Sequence, residues 1–174
     1  LWHSVSSDNL GVGALTESQI AICQAAANRA NVEVHYIIFG TSGSKNYTPN
    51  GVSISIGNRM SVKQILLGNS LFLEEVNRCD FLLDIGEGDS FADIYGIKRF
   101  IFLTISKLAV LVKRKPLILS PQTIGPFDFW LTRVIAINIM RRCTQIFTRD
   151  ELSTQYLEDC GVTANVAEAI DVAF

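Results

Sequence analysis

The sequence predicts an α/β protein with a doubly wound, mostly parallel sheet, and three observations point there. Short β-rich apolar runs alternate with stretches of helical periodicity along the whole chain. Several of those runs are apolar throughout, as strands buried on both faces of a parallel sheet must be. The repeated order strand, helix, strand implies right-handed crossovers and Rossmann-like layering. With 174 residues, 48% of them hydrophobic, the chain can bury one sizeable core, so one domain over residues 1–174 is expected.

Taken in order, the candidate strands are residues 1–5, 32–39, 52–56, 81–85, 116–120 and 145–148. Thr16 followed by Gln19, and Ser61 followed by Gln64, form capping-box patterns that satisfy free N–H groups at helix starts. After Ser61, the residues Val62, Ile65, Leu66, Phe72, Leu73 and Val76 recur at helical spacing. Residues 100–112, interrupted by Lys107, are shorter than the roughly 20 residues needed to cross a bilayer and read as a buried helix. Asp128 can cap a helix that runs to Arg141 and Arg142, whose charges suit the negative end of its dipole. A last helix follows Thr148 and Glu151, and Gly161 is placed to end it. Residues 40–49, rich in Gly, Ser and Pro, form a surface loop. No internal repeat or low-complexity tract is present.

Composition excludes several functions. Net charge is −2, without the basic excess or stripe of a nucleic-acid binder, and Lys113-Arg114-Lys115 reads as a solvated turn. Cys23, Cys79, Cys143 and Cys160 lie far apart with no C-x-x-C pair and no nearby histidine, so no zinc site is expected; isolated cysteines behave as small hydrophobes and suit a reducing compartment. No signal peptide opens the chain. The expectation is a soluble cytoplasmic protein, or one working at the inner face of the membrane. Because the sequence starts at Leu1 and stops in mid-pattern at Phe174, it is taken as part of a longer protein.

In a parallel sheet, ligands bind outside the carboxyl ends of the strands, so the loops there hold the candidate residues. The first loop is Ser7-Asp8-Asn9-Leu10-Gly11-Val12-Gly13. The glycines, Gly11 among them, would let backbone approach a ligand at a helix N-terminus with Asn9 beside it, or the run would simply form a tight turn in which Asn9 holds backbone. The run is neither G-x-G-x-x-G nor a P-loop. The second loop, Asp84 to Asp93, crowds acids around Gly86 and Gly88. Carboxylates that share a site repel, so one would have a raised pKa and suit proton transfer; the alternatives are a divalent metal or an ordinary helix start. The third, Ser120 to Phe127, offers Gln122 and Thr123 as hydrogen-bonding groups beside Gly125, as a cleft wall or as an ordered turn. Arg149, at the start of the last helix, is either screened by Asp150 or Glu151 or available to an anion. His35 reads as an ordinary strand residue, and His3, nearer a strand end, is left open.

Five segments in this order resemble the polysaccharide pyruvyl transferase family: S-D-N-L-G-V-G-A-L-T from Ser7, G-E-G-D-S-F-A-D from Gly86, P-Q-T-I-G-P-F from Pro121, T-R-D-E-L-S from Thr148 and D-V-A-F from Asp171. The resemblance implies the Rossmann-like half of a GT-B-like two-domain enzyme whose C-terminal domain is absent from this chain. It implies transfer of the pyruvyl group of phosphoenolpyruvate, as donor substrate and with no cofactor, to a glycan or lipid-linked sugar, giving a pyruvate ketal. The family's G-G-G-x-x-x-x-D loop places its aspartate at Asp93, which carries the catalytic acid/base role, with Asp89 as a second catalytic candidate. Arg149 carries contact with phosphoenolpyruvate. Glu87 in place of the middle glycine, and the added Asp89, depart from the pattern. The alternatives are a nucleotide-sugar-dependent GT-B glycosyltransferase and a non-catalytic sugar- or anion-binding domain.

Overall fold

The computed structural model describes residues 1–172, the side chain of Leu66 excepted; Ala173 and Phe174, which close the D-V-A-F segment, lie outside the described residues. The α/β architecture is present. Strands β1 (His35–Ile38) and β2 (Ser53–Ile56) pair in parallel. Strands β3 (Leu82–Asp84), β4 (Leu117–Gln122), β5 (Gln145–Thr148) and β6 (Val166–Glu168) form a parallel sheet in that order. The helices are α1 (Leu10–Ala30), α2 (Val62–Leu66), α3 (Leu71–Arg78), α4 (Ile97–Val112), α5 (Trp130–Met140) and α6 (Glu151–Asp159).

Residues 1–3 lie between the two sheets without forming the expected first strand. His3 N–H donates to Phe39 O, Ile85 N–H to Leu1 O and Glu87 N–H to Trp2 O. Trp2 has φ 58°, a left-handed turn that breaks the pleat and so the regular ladder. The segment therefore joins β1 to β3 by single hydrogen bonds.

The helix starts also differ from expectation. Asn9, not Thr16, caps α1: its Oδ1 accepts from Gly11 N–H at 2.9 Å. Thr16 lies buried inside the helix and donates its hydroxyl to Val12 O. Ser61 does cap α2, but Gly68 at φ 74° ends that turn and Ser70 starts α3 separately. Asp128 does not cap α5; a distant residue does, as described below. Strand β6, in the unremarkable sequence Val-Ala-Glu, was not expected.

The core gathers on β3, β4 and β5, with Leu117, Leu119 and Ile146 fully buried beneath α4 and α5. Phe91, Phe100 and Phe127 pack together with centroids 5.5 to 6.1 Å apart, each contributing about 1.5–3 kcal/mol through burial. Cys143 is a free thiol whose pKa burial pushes up to about 12, which makes it an inert core residue.

Within this core α4 places its one interior charge. Lys107 Nζ lies 3.1 Å from both oxygens of Asp84, with both side chains wholly buried. Removing one partner strands a charge, whereas replacing both need not. Lys107→Met alone should lower stability by about 3–5 kcal/mol in urea denaturation, and Lys107→Met with Asp84→Leu should restore most of it. A single variant as stable as wild type would show that the pair does not hold α4 to β3.

Candidate functional site

The carboxyl ends of β3, β4 and β5 bring part of the predicted set together. Gln122, the last residue of β4, donates from Nε2 to Asp84 O at 3.0 Å, and Arg149 N–H donates to Gln122 O. A Cβ on Gly86 would lie 3.3 Å from Gln122 Oε1, a buried acceptor with no partner among the described residues. Arg149 leaves the end of β5, donates from Nε to Thr123 Oγ1 at 2.8 Å, and pairs through Nη1 with Asp171 at 3.0 Å. Its side chain keeps 31% of its exposure, so the guanidinium is fixed in direction but open to an anion. The Thr123 hydroxyl donates a hydrogen bond to Asp150 Oδ2 at 2.8 Å. Burial would raise the Asp150 carboxyl, but bonds from Ser153 and Thr123 and the nearby Arg149 charge hold it below the ordinary carboxylate range. Gln122, Thr123 and Arg149 thus form one hydrogen-bonded edge, with Gly86 placed beside Gln122.

The remaining predicted residues are placed elsewhere or serve local structure. Asn9 and Gly11 are exposed and joined to each other by the α1 cap. The loop over residues 43–47 closes over that segment: Ser44 N–H and Oγ both donate to Asp8 Oδ1, and Tyr47 N–H donates to Val5 O. Gly88 abuts Leu15 of α1. Gly125, at φ 69°, is packed on Tyr156.

The four acids of the second loop do not share a site. Asp84 is taken by Lys107. Glu87 and Asp89 are both paired with Arg99, whose Nη2 lies 3.1 Å from Glu87 Oε2 and 2.9 Å from Asp89 Oδ2. Arg99 also donates to Gly86 O and stacks over Trp2 at 5.3 Å. Sequence reasoning passed over Arg99 and Lys107, although a cation in a helix this apolar signals a buried carboxylate partner. The turn itself is strained: Gly86, Glu87 and Gly88 all have positive φ, which for Glu87 costs roughly 1–2 kcal/mol. Glu87 Oε1 accepts from Thr41 N–H at 2.9 Å, and with Arg99 this holds the conformation. The N–H groups of Glu87, Gly88 and Asp89 donate to Trp2 O, Ile85 O and Gly86 O, so this turn is not a cradle of free donors. On the far side of Trp2, a largely apolar cavity of about 370 Å³ opens among Phe39, Thr41, Arg59, Phe72 and Phe102. None of the predicted site residues lines it.

Asp93 is the distant residue that holds the start of α5. Its Oδ1 accepts from Asp128 N–H at 3.0 Å, and its Oδ2 accepts from Phe129 N–H at 3.2 Å and Thr132 Oγ1 at 2.5 Å. Burial pushes the carboxyl up, but these three bonds outweigh it and hold its pKa below the usual value. That direction is opposite to the raised acid expected from crowding. His3 is buried with neither ring nitrogen partnered among the described residues, and burial holds it neutral. His35 lies on the surface between Ser53 and Ser55.

A family model described as polysaccharide pyruvyl transferase matches residues 9–174. Over 104 residues the chain is 27% identical to the amylovoran biosynthesis protein AmsJ of Erwinia amylovora. The matched stretch is 59% of this chain and 24% of that protein, so the match spans about a quarter of its length. No solved structure matches significantly.

Because Asp93 has a depressed folded pKa, its stabilising contribution is complete above the ordinary carboxylate range. It fades as pH falls through the folded value. Asp93→Asn should lower stability by about 1–2 kcal/mol near pH 7, the scale of a lost charged cap, with the gap to wild type closing on acidification. Urea titrations across pH measure both; a gap that grows as pH falls would contradict the assignment.

Proposed function

The chain belongs to the polysaccharide pyruvyl transferase family, and we propose that it is the Rossmann-like half of an enzyme transferring pyruvyl from phosphoenolpyruvate to a glycan or lipid-linked sugar. The observation that carries this reading is Arg149. Thr123 and Asp171 aim its guanidinium at the carboxyl edge of the sheet while leaving it partly open, and a planar guanidinium suits a phosphate or carboxylate.

In the reaction, a proton adds to the methylene carbon of phosphoenolpyruvate, leaving an oxocarbenium-like centre at the adjacent carbon. Two sugar hydroxyls add there, and phosphate departs. One hydroxyl proton balances the new methyl group and the other leaves with phosphate. Arg149 would stabilise the departing charge. Asp93, ionised by its bonds to Thr132 and the α5 backbone, would take a hydroxyl proton as base rather than deliver one, and Asp89, on the exposed side of Arg99, is the other carboxylate of the loop. The acceptor must be gripped while two hydroxyls reach one carbon, which supports a second, GT-B-like domain facing this edge. The reading places the protein in the cytoplasm.

A second reading, an anion- or sugar-binding domain without catalysis, draws on the saturation of Asp93 by three donors. The two readings diverge in the full-length protein. Arg149→Ala should weaken phosphoenolpyruvate binding by about 1.5–3 kcal/mol in calorimetric titration; unchanged affinity would remove Arg149 from the site. Asp93→Asn should lower turnover by at least about 100-fold with phosphoenolpyruvate affinity retained, and turnover within about threefold of wild type would leave Asp93 a cap only. Saturable binding of a nucleotide sugar, with none of phosphoenolpyruvate, would replace pyruvyl transfer by glycosyl transfer.

A further inference from the structure

The outer faces of α4 and α5 reverse the usual pattern of a surface helix, which turns polar residues to water. On α4 the exposed positions are Ile97, Lys98, Ile101, Phe102, Leu108 and Val112, while Lys107 points inward. On α5, Trp130 is 74% exposed, with Leu131 and Val134 beside it. The helices pack against each other, and an apolar groove of about 430 Å³ runs between Leu108, Val112 and Val134 with Arg142 on its rim.

Charge is segregated onto the same part of the chain. Residues 94–149 hold ten of the fifteen basic residues and only Asp128 among the seventeen acidic ones, a net charge of +9 against −11 elsewhere. Among the described residues, ion pairs engage only Arg99, Lys107 and Arg149 of those ten. Lys98, Arg133 and Arg142 are exposed on or beside the apolar face, and Lys113 and Arg114 follow the end of α4.

We propose that the α4–α5 face binds the surface of an anionic lipid bilayer, with Phe129, Trp130, Leu131 and Val112 entering the headgroup boundary and the flanking cations meeting lipid phosphates. Apolar residues that include Trp and Phe, bordered by Lys and Arg, are the composition that lies in a membrane interface. Clustered cations supply attraction to anionic headgroups. No described helix is long and apolar enough to cross a membrane, so this contact lies on the surface. Charge also argues against a second copy as occupant, because a two-fold pairing of this face would oppose cation to cation.

The test is co-sedimentation of the full-length protein with vesicles of phosphatidylcholine alone, or with about 30% phosphatidylglycerol. Binding should require the anionic lipid and weaken as salt rises. Trp130→Ser with Leu131→Ser should reduce it about tenfold or more, and Lys113→Glu with Arg142→Glu should do the same, with thermal unfolding unchanged in both. Equal binding of wild type and both double variants would overturn the proposal. So would no binding to anionic vesicles, whether the face is then found covered by the rest of the chain or by a second copy. The inference is independent of the proposed reaction: calorimetric phosphoenolpyruvate binding should be the same in these variants as in wild type, and its absence in all of them would count against pyruvyl transfer alone.

Discussion

The ion pair between Lys107 and Asp84 fixes the relation between the helical layer and the strand end from which the acidic loop departs. Both charges are out of water, and each would be expensive to bury alone. Asp84 is the last residue of β3, two before Gly86, so the strained turn starts from a rigid point. Lys107 Nζ also sits 4.4 Å over the Phe91 ring, and Phe91 N–H donates to Thr123 O. One buried cation therefore links α4, β3 and the loop after β4. The predicted edge of Gly86, Gln122, Thr123 and Arg149 is built on that link.

Outward from this pair, the other acids of the loop are divided between Arg99, which Glu87 and Asp89 share, and the start of α5, which Asp93 holds. Glu87 and Asp89 hold Arg99, which clamps Gly86 O and covers Trp2. Glu87 also takes Thr41 N–H from the segment after β1, across the gap where the two sheets lack a regular ladder. A non-glycine residue in a left-handed conformation persists where its surroundings over-determine it, and here the carboxylate supplies two anchors. The side chain that departs from the glycine-rich pattern thus ties together two parts of the fold.

The sheet was largely legible because continuous apolar runs carry their own signal: residues 145–148 became β5 without change, and residues 81–85 gave β3 within one residue at either end. What was not legible depended on residues distant in sequence. Thr16 and Gln19 fit a capping box, yet Asn9 caps first and the helix has already begun. Asp128 stands where a cap belongs, but Asp93, 35 residues earlier, takes its N–H. The same reason explains the site. Strand ends predicted that Gly86, Gln122 and Arg149 would lie on one edge, whereas the partners of the acids, Arg99 and Lys107, follow from how α4 rotates over the sheet. A local reading sees four acids in ten residues; the fold distributes them among three environments, Asp84 on Lys107, Glu87 and Asp89 on Arg99, and Asp93 at the start of α5.

Helix α4 also explains why a balanced net charge concealed an unbalanced surface. Its inner face needs Lys107 to meet Asp84, and Phe100, Leu103 and Val110 to fill the core. Its outer face has no such requirement, yet carries isoleucine, phenylalanine, leucine and valine where solvent would favour polar residues. Core packing accounts for part of that choice, since Phe102 rests on Trp2, but not for the exposure of Ile97, Ile101 and Val112. The membrane contact proposed above does explain it, with the bordering cations complementing anionic headgroups. Phe129 and Trp130 stand at the start of α5, where Asp93 binds the N–H groups of Asp128 and of Phe129 itself. The carboxylate that caps α5 therefore holds the backbone from which the aromatic pair projects.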